Sequence, residues 1–168
     1  MINYTDIEQN IILIETKYSD PLTSMHEQIL YSKLAVLEFC GWIEESFDQI
    51  LKDYSLGKVS LINQRYVDNS IIKKNYGFDY ENNTRPMLCR ALGIKNLEDV
   101  EFILDDSRGI VTILKSILTN YTSKRNDAAH KSTPLGTTLT YYAPSRVLGD
   151  FRVIKSIFSD LEIIVINI

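Results

Sequence analysis

Three residues late in the chain carry side chains suited to phosphate chemistry. Arg125, Asn126 and His130 stand in the run RNDAAH. Arginine provides a permanently charged planar fork that matches a phosphate, and imidazole can transfer protons near neutral pH. Asparagine can orient a phosphate oxygen or the arginine, and the small Ala128 and Ala129 leave room for a substrate or a neighbouring helix. The pattern therefore indicates a site that binds or cleaves a phosphodiester.

Charged and aromatic residues surround this motif. Between Lys115 and Lys155 the chain has seven basic and two acidic residues, a net charge of +5, whereas the remainder carries −9. A local cationic segment in an acidic protein is typical of phosphate binding, and a chance run of solvated lysines is the alternative. We expect contacts with the phosphate backbone and the bases of a nucleic acid from five residues: Lys124, Lys131, Tyr141, Tyr142 and Arg146. The two tyrosines can instead pack inside the protein.

The spacing of the motif makes a structural demand. Five residues along a regular helix place Arg125 and His130 about 140° apart around its axis. To converge, the motif must straddle a helix boundary or use the long reach of the arginine side chain. Asp127, between them, either faces water, which is favoured, or pairs with His130 or Arg125.

Other residues with reactive side chains point to structural roles. His26 stands in the first turn of a predicted helix without a nearby partner. Glu44 and Glu45 are typical of the solvent-exposed face of a helix. Neither Arg65 nor Arg85 has a local context that suggests a function.

The cysteines give no sign of a metal site. Cys40 and Cys89 are the only two, and no metal-ligand spacing such as CxxC or HExxH occurs. The sequence leaves a disulfide between them open but favours two buried, reduced thiols. We expect neither a metal nor another cofactor.

Helical periodicity dominates the chain and predicts the elements that must position the motif. The predicted elements are a short helix capped by Asp6 (a strand is the weaker alternative), a long helix over residues 23–54, a second long helix from residue 61 that ends before Gly77, a loop over 78–83, short helices capped by Thr84 and Asn96, a helix starting at Ser107, a loop over 132–140, and a last helix after Pro144. Residues 1–168 are therefore expected to form a single all-α domain, a bundle of about six or seven helices.

No apolar run approaches the roughly 20 residues that a membrane span needs. The first residues lack the basic-then-apolar order of a signal peptide. We therefore expect a cytoplasmic protein without a membrane partner.

The motif and its setting resemble the HEPN superfamily. The motif of that family is an arginine, a polar residue, three to five further residues and a histidine, which Arg125, Asn126 and His130 match. The resemblance covers most of the chain as an all-helical domain of this size, and is specific over the six residues of the motif. Within the superfamily the chain looks most like stand-alone bacterial defence proteins such as the RiboL-PSP group.

This resemblance implies a metal-independent endoribonuclease, typical of toxins and abortive-infection proteins, and a homodimer in which two motifs line one cleft. The chemistry of the reaction also favours a homodimer with two motifs in one cleft, because RNA cleavage through the 2′-hydroxyl needs a base, an acid and a cation. Two protomers supply two imidazoles and two guanidiniums. We expect His130 of each subunit to act as base or acid, Arg125 to stabilise phosphate charge and Asn126 to position the scissile group.

Two alternatives belong to other functional classes. One is a non-catalytic helical module that binds RNA, a nucleotide or a catalytic partner, and the other is a plain interaction protein with a chance motif. Retention of both Arg125 and His130 favours the enzyme. An antitoxin or a defence-system protein is the partner expected for a ribonuclease of this kind.

Overall fold

Seven α-helices and no strand make up the part of the chain that the computed structural model describes, which is residues 1–105, 109–136 and 141–168. The all-α prediction is therefore confirmed. The helices are α1 (Thr5–Tyr18), α2 (Met25–Ser55), α3 (Leu61–Tyr66), α4 (Arg85–Leu92), α5 (Ile94–Asp105), α6 (Ile110–His130) and α7 (Pro144–Ile166).

Helix α2 is delimited by local sequence signals. Ser24 and Glu27 form a capping box, in which each side chain bonds the backbone N–H of the other residue. The helix ends at Ser55, and Gly57 follows with a φ of +78° that favours glycine. The predicted bounds of this long helix are confirmed within two residues.

Helix α1 forms as predicted, but Asp6 does not cap it. The helix begins at Thr5, so Asp6 lies inside its first turn. The Asn3 carboxamide oxygen instead accepts hydrogen bonds from the backbone N–H groups of Thr5 and Asp6, each at 3.2 Å. A short polar side chain two or three positions earlier satisfies the same free donors that a cap would.

The second long helix, predicted from residue 61 to just before Gly77, is short and irregular. Helix α3 has six residues, and a π-helical turn (Val67–Ile71) and a 3-10 turn (Ile72–Lys74) continue it. Val67 and Ile71 of the π-helical turn are buried, whereas Ile62 of α3 is 77% exposed. The apolar spacing predicts one continuous stripe on a regular helix, but the change of helix type interrupts this stripe.

The segment between this irregular region and α5 is more ordered than the predicted loop. Residues Tyr80–Thr84 form a π-helical turn, and Thr84 is buried with its hydroxyl donating to the Phe78 carbonyl oxygen. Thr84 therefore does not cap α4, although Pro86 occupies the first turn and Gly93 (φ +84°) ends the helix. Asn96 lies inside α5 and donates to the Leu92 carbonyl oxygen, so it is not a cap either.

Arg85 has a structural partner that its local sequence does not reveal. Its guanidinium binds the Glu101 carboxylate through two hydrogen bonds of 2.7 and 3.1 Å, and the Tyr80 hydroxyl donates to the same carboxylate. Burial alone would raise the pKa of Glu101, but these hydrogen bonds lower it. The interaction ties α4 to α5.

The predicted start of the sixth helix at Ser107 lies outside the described residues, as do positions 137–140 of the predicted loop. The described part of that loop, residues 132–136, is non-helical. Helix α7 begins at Pro144, where a missing N–H is tolerated.

An aromatic cluster joins the three helices that position the motif. Phe39 of α2 packs edge-on against Tyr121 of α6 with ring centroids 4.7 Å apart, and Trp42 of α2 packs against Phe151 of α7 at 5.0 Å. Each of these buried rings contributes about 1.5–3 kcal/mol to folding. Helix α2 also packs on α1, so α2 is the central element of the core.

No helix in the described part of the chain combines the length and the apolar composition needed to cross a membrane.

Candidate functional site

Helix α6 carries the whole RNDAAH motif. It continues to His130, and Lys131 is the first extended residue, with a φ of −97° and a ψ of 128°. The motif therefore does not straddle a helix boundary, which was one of its two routes to convergence. Asn126 and His130 lie one turn apart on one face, whereas Arg125 lies about 140° from His130 around the axis.

Contacts from two other parts of the chain fix the end of α6. The Lys33 ammonium of α2 donates to the Lys131 carbonyl oxygen at 2.9 Å, and the Tyr141 hydroxyl donates to the Asp127 carbonyl oxygen at 3.4 Å. The Asp127 carbonyl oxygen also accepts the Lys131 backbone N–H, the Lys131 carbonyl group lies just beyond the helix, and a cation there suits the negative end of the helix dipole. The last turn of the motif is therefore held against α2 and the segment before α7.

Asn126 and His130 are exposed to solvent. They lie on the side of α6 opposite the buried Leu114, Tyr121 and Ala128. Neither side chain forms a hydrogen bond or an ion pair with the described residues. Both polar groups are therefore accessible to a ligand.

Arg125 lies in the seam between α6 and α2. Its Nη2 is 3.7 Å from Oε1 of Glu44, and the two side chains are 38% and 33% exposed. This distance makes an ion pair but exceeds that of a hydrogen bond. In the described part of the chain, Arg125 donates no hydrogen bond, so its N–H groups keep their capacity for a substrate.

Cys40 lies beneath this ion pair. Burial raises the pKa of its thiol, the Glu44 charge raises it further, and the Arg125 charge opposes both. The thiol donates a weak hydrogen bond of 3.9 Å to the Tyr121 carbonyl oxygen. Both cysteines are free, as favoured, but Cys89 is only half-buried.

Asp127 adopts none of the arrangements expected from the sequence. Its carboxylate is 2.7 Å from the Lys131 ammonium, one helical turn away. It therefore neither faces water alone nor pairs with His130 or Arg125. Lys131 is also partly neutralised by this contact.

The expected substrate contacts surround Tyr142. The Arg146 guanidinium stands 3.7 Å from the centre of the Tyr142 ring and the Lys124 ammonium 5.4 Å from it. The ring also packs edge-on against Tyr121 at 5.2 Å. Arg146 thus covers a face of the Tyr142 ring on which a base would stack. Stacking of RNA on Tyr142 stays a prediction, and it requires Arg146 to move away from the ring.

Tyr121 and Asp150 anchor this cation–aromatic group to the core. The Tyr121 hydroxyl donates to the Asp150 carboxylate at 2.8 Å, and Arg146 is 3.6 Å from the same carboxylate. Burial raises the pKa of Tyr121, and the nearby Asp150 charge raises it further. Tyr141, Tyr142 and Arg146 are therefore packed in the fold as well as being near α6.

Tertiary contacts neutralise much of the basic segment that surrounds the motif. Lys115 pairs with Glu81 at 2.7 Å, and both Arg152 and Lys155 pair with Glu8 of α1. The local charge of +5 is therefore partly balanced by acids from distant parts of the chain. The cations nearest the motif belong to the C-terminal half of α6 and to Lys33 and Arg146.

Glu44 is the residue at this site that the sequence reading missed. The sequence predicts that Glu44 lies on the solvent-exposed face of α2, but the residue faces α6. The available signal was its position four residues after the buried Cys40 and three before the buried Phe47, at the margin of the apolar stripe. The sequence does not show that Arg125 on α6 is its partner.

The two larger grooves contain no motif residue. One, of about 360 Å³, lies between α1 and α2 beside Asn10, Glu38 and Glu45, and another, of about 640 Å³, lies beside Tyr4 and Ile166. Among residues 1–105, 109–136 and 141–168, no three His, Cys, Asp or Glu side chains form a group that could hold a metal ion.

Comparison of the chain with protein-family models, with curated proteins and with solved structures finds no match.

Proposed function

We propose that this protein is a metal-independent endoribonuclease whose active site is completed by a second copy. The observation that carries the proposal is the arrangement at the end of α6. Asn126 and His130 are exposed on one face without structural partners among the described residues, and the Arg125 guanidinium, in the seam with α2, donates no hydrogen bond to a described residue. An exposed amide, imidazole and guanidinium match the needs of phosphodiester cleavage.

The angular separation on α6 favours a site shared between two copies. Arg125 and His130 diverge by about 140° on one regular helix. Packing the same surface of a second copy against this end of α6 brings each His130 towards the Arg125 of the other copy, since a two-fold interface repeats each contact. A homodimer of this kind supplies the two imidazoles that the reaction needs.

Each motif residue has a separate task in the proposed reaction. One His130 takes the proton of the ribose 2′-hydroxyl, and the 2′-oxygen attacks phosphorus as the bond to the 5′-oxygen breaks. His130 of the other subunit donates a proton to the departing 5′-oxygen. Arg125 stabilises the charge on the pentavalent phosphate and Asn126 positions the scissile group. The products are a 2′,3′-cyclic phosphate and a 5′-hydroxyl.

The resemblance to HEPN proteins extends the proposal to a biological role. A ribonuclease of this type would act in the cytoplasm as a toxin or an anti-phage effector, with an antitoxin or defence-system protein as its partner. Lys124, Lys131 and Arg146 would contact the RNA backbone without sequence preference.

The test compares the wild-type protein with His130→Ala on end-labelled RNA in EDTA. Removal of a general acid–base group is expected to slow cleavage by a factor of about 100–10,000. Wild-type products should carry cyclic-phosphate ends, and RNA with 2′-methoxy groups should resist cleavage. Undiminished cutting by His130→Ala would contradict the proposal.

His26→Ala is the matched control, because His26 is the only other histidine and lies on α2 outside the motif. This variant should cleave as the wild type does. Circular dichroism and sedimentation must show that both variants keep their helices and their oligomeric state.

A non-catalytic interaction module is the second candidate. It is favoured by large apolar side chains that stand in solvent away from the motif, such as Ile62 (77% exposed) and Phe102 (82% exposed). A wild-type protein that leaves RNA intact but captures a protein partner through these residues would support it.

A further inference from the structure

We infer that Glu44 is a positioning residue that holds the Arg125 guanidinium in the orientation needed to bind the scissile phosphate. This inference rests on the proposed ribonuclease function. It assigns to a carboxylate on α2 a role in the chemistry of a motif that lies entirely on α6.

The contacts of Glu44 point to this role. Its Oε1 is 3.7 Å from Nη2 of Arg125. The same oxygen is buried and has no hydrogen-bond partner among the described residues. A buried carboxylate oxygen without a hydrogen bond is costly, and groups of this kind occur where function requires them. In the described part of the chain, the nearby cation of Arg125 compensates its charge.

The geometry leaves the guanidinium free to bind a phosphate. A guanidinium has five N–H donors in a planar fork, and one carboxylate at its Nη2 side occupies only a part of it. Arg125 donates to no other described residue. Glu44 thus restrains one edge of the fork while the remaining donors can bind two phosphate oxygens.

The position of Glu44 on α2 explains why it restrains Arg125 without being a ligand for RNA. Its side chain is held between two packed helices, with Cys40 beneath it and Arg125 across the seam. A carboxylate repels a phosphate, so Glu44 must act through Arg125. Loss of this restraint leaves Arg125 several rotamers and lowers the fraction of molecules in the productive geometry.

The matched pair of variants is Glu44→Gln and Glu45→Gln. Both remove one negative charge from neighbouring positions of α2, but Glu45 is exposed and lines the groove towards α1. We expect Glu44→Gln to lower kcat about 10–100-fold with a smaller change in KM, as misplacement of a catalytic group does. Glu45→Gln should cleave RNA at the wild-type rate.

A double-mutant cycle separates positioning from a structural role. If Glu44 acts through Arg125, then Glu44→Gln causes no further loss of kcat in an Arg125→Gln background. Additive losses in the two backgrounds would overturn the inference, as would equal activity of Glu44→Gln and the wild type. Glu44→Asp, which keeps the charge but shortens the reach, should retain more activity than Glu44→Gln.

The outcomes distinguish this inference from the proposed function. A wild-type protein that does not cleave RNA overturns both. A wild-type protein that cleaves RNA and depends on His130, but not on Glu44, overturns the inference alone. Sedimentation and circular dichroism on each variant identify a loss of folding, and in that case the Glu44→Asp variant decides the question.

Discussion

Arg125 and His130 belong to one short motif but have different surroundings. The arginine is half-buried in a seam with Glu44, whereas the histidine is on the open face of α6. A guanidinium keeps its charge when it is partly buried, so Arg125 remains a cation in this seam. The imidazole is accessible to substrate and to a second subunit, which suits a group that must exchange protons.

Asp48 gives a pH-dependent prediction at the residue scale. Burial raises its pKa to about 6, Lys52 opposes this, and the charges of Glu44 and Glu45 add to it. Between pH 4 and pH 6 the unfolded chain therefore loses the Asp48 proton while the folded protein keeps it, and stability falls as pH rises. Asp48→Asn removes this loss.

The expected gain of Asp48→Asn is about 1–2 kcal/mol of unfolding free energy above pH 6.5, after allowance for the partial exposure of the group. It should disappear below about pH 4, where Asp48 is protonated in both states. Urea unfolding of both proteins across this pH range measures the difference. A gain that is the same at pH 4 and pH 7 would show that the charge of Asp48 is not its cause.

At the scale of elements, α2 and α6 define the site together. Helix α2 contributes Lys33, Cys40 and Glu44 along the side that faces α6, and α6 contributes Arg125 and the carbonyl group beyond its last turn. Any change in the packing of the two helices therefore moves Arg125 relative to Glu44. A capping box begins α2, and the side chains of Lys33 and Tyr141 donate to carbonyl groups at the end of α6.

Two glycines allow the effect of backbone conformation on helix stability to be separated from that of packing. Gly41 lies inside α2, and Gly93 ends α4 with a φ of +84°. A Cβ at either position meets no heavy atom within 4 Å. Gly41→Ala is expected to stabilise the protein by about 0.5–1 kcal/mol, because alanine loses less entropy in a helix.

Gly93→Ala has the same added atom and the opposite expected effect, a loss of about 1–3 kcal/mol, since L side chains rarely adopt its backbone conformation. Thermal and urea unfolding followed by circular dichroism measure both. Equal effects of the two substitutions would contradict this account.

At the scale of the whole molecule, the proposed site requires two copies. Subunits with different tags, one wild-type and one His130→Ala, can be co-expressed and purified as a mixed dimer. If base and acid come from opposite subunits, this dimer has one imidazole per cleft, and its activity falls far below half of that of the wild-type dimer. Cleavage at half the wild-type rate would mean that each subunit works alone, and the shared site would be wrong.

Several elements were predictable because their signals are local. The capping box at Ser24, the glycine that ends α4 and the proline that begins α7 act within a few residues of where they stand. The apolar spacing of α7 likewise matches its buried residues, such as Phe151, Ile154 and Phe158, whereas Leu30 and Leu34, which share the apolar spacing of α2, are 41% and 42% exposed. The irregular turns after Tyr66 were not predicted, because packing against other elements selects them.

Side-chain chemistry and spacing were enough to predict an all-helical chain and to identify the motif residues as candidates for phosphate chemistry. Which charged side chains form ion pairs across the molecule depends on the tertiary structure. Helix packing places Glu44 against Arg125, Glu81 against Lys115, and Glu8 against Lys155, which is 147 positions away along the chain. Such pairs depend on how the helices pack around one core, and local spacing does not encode that arrangement.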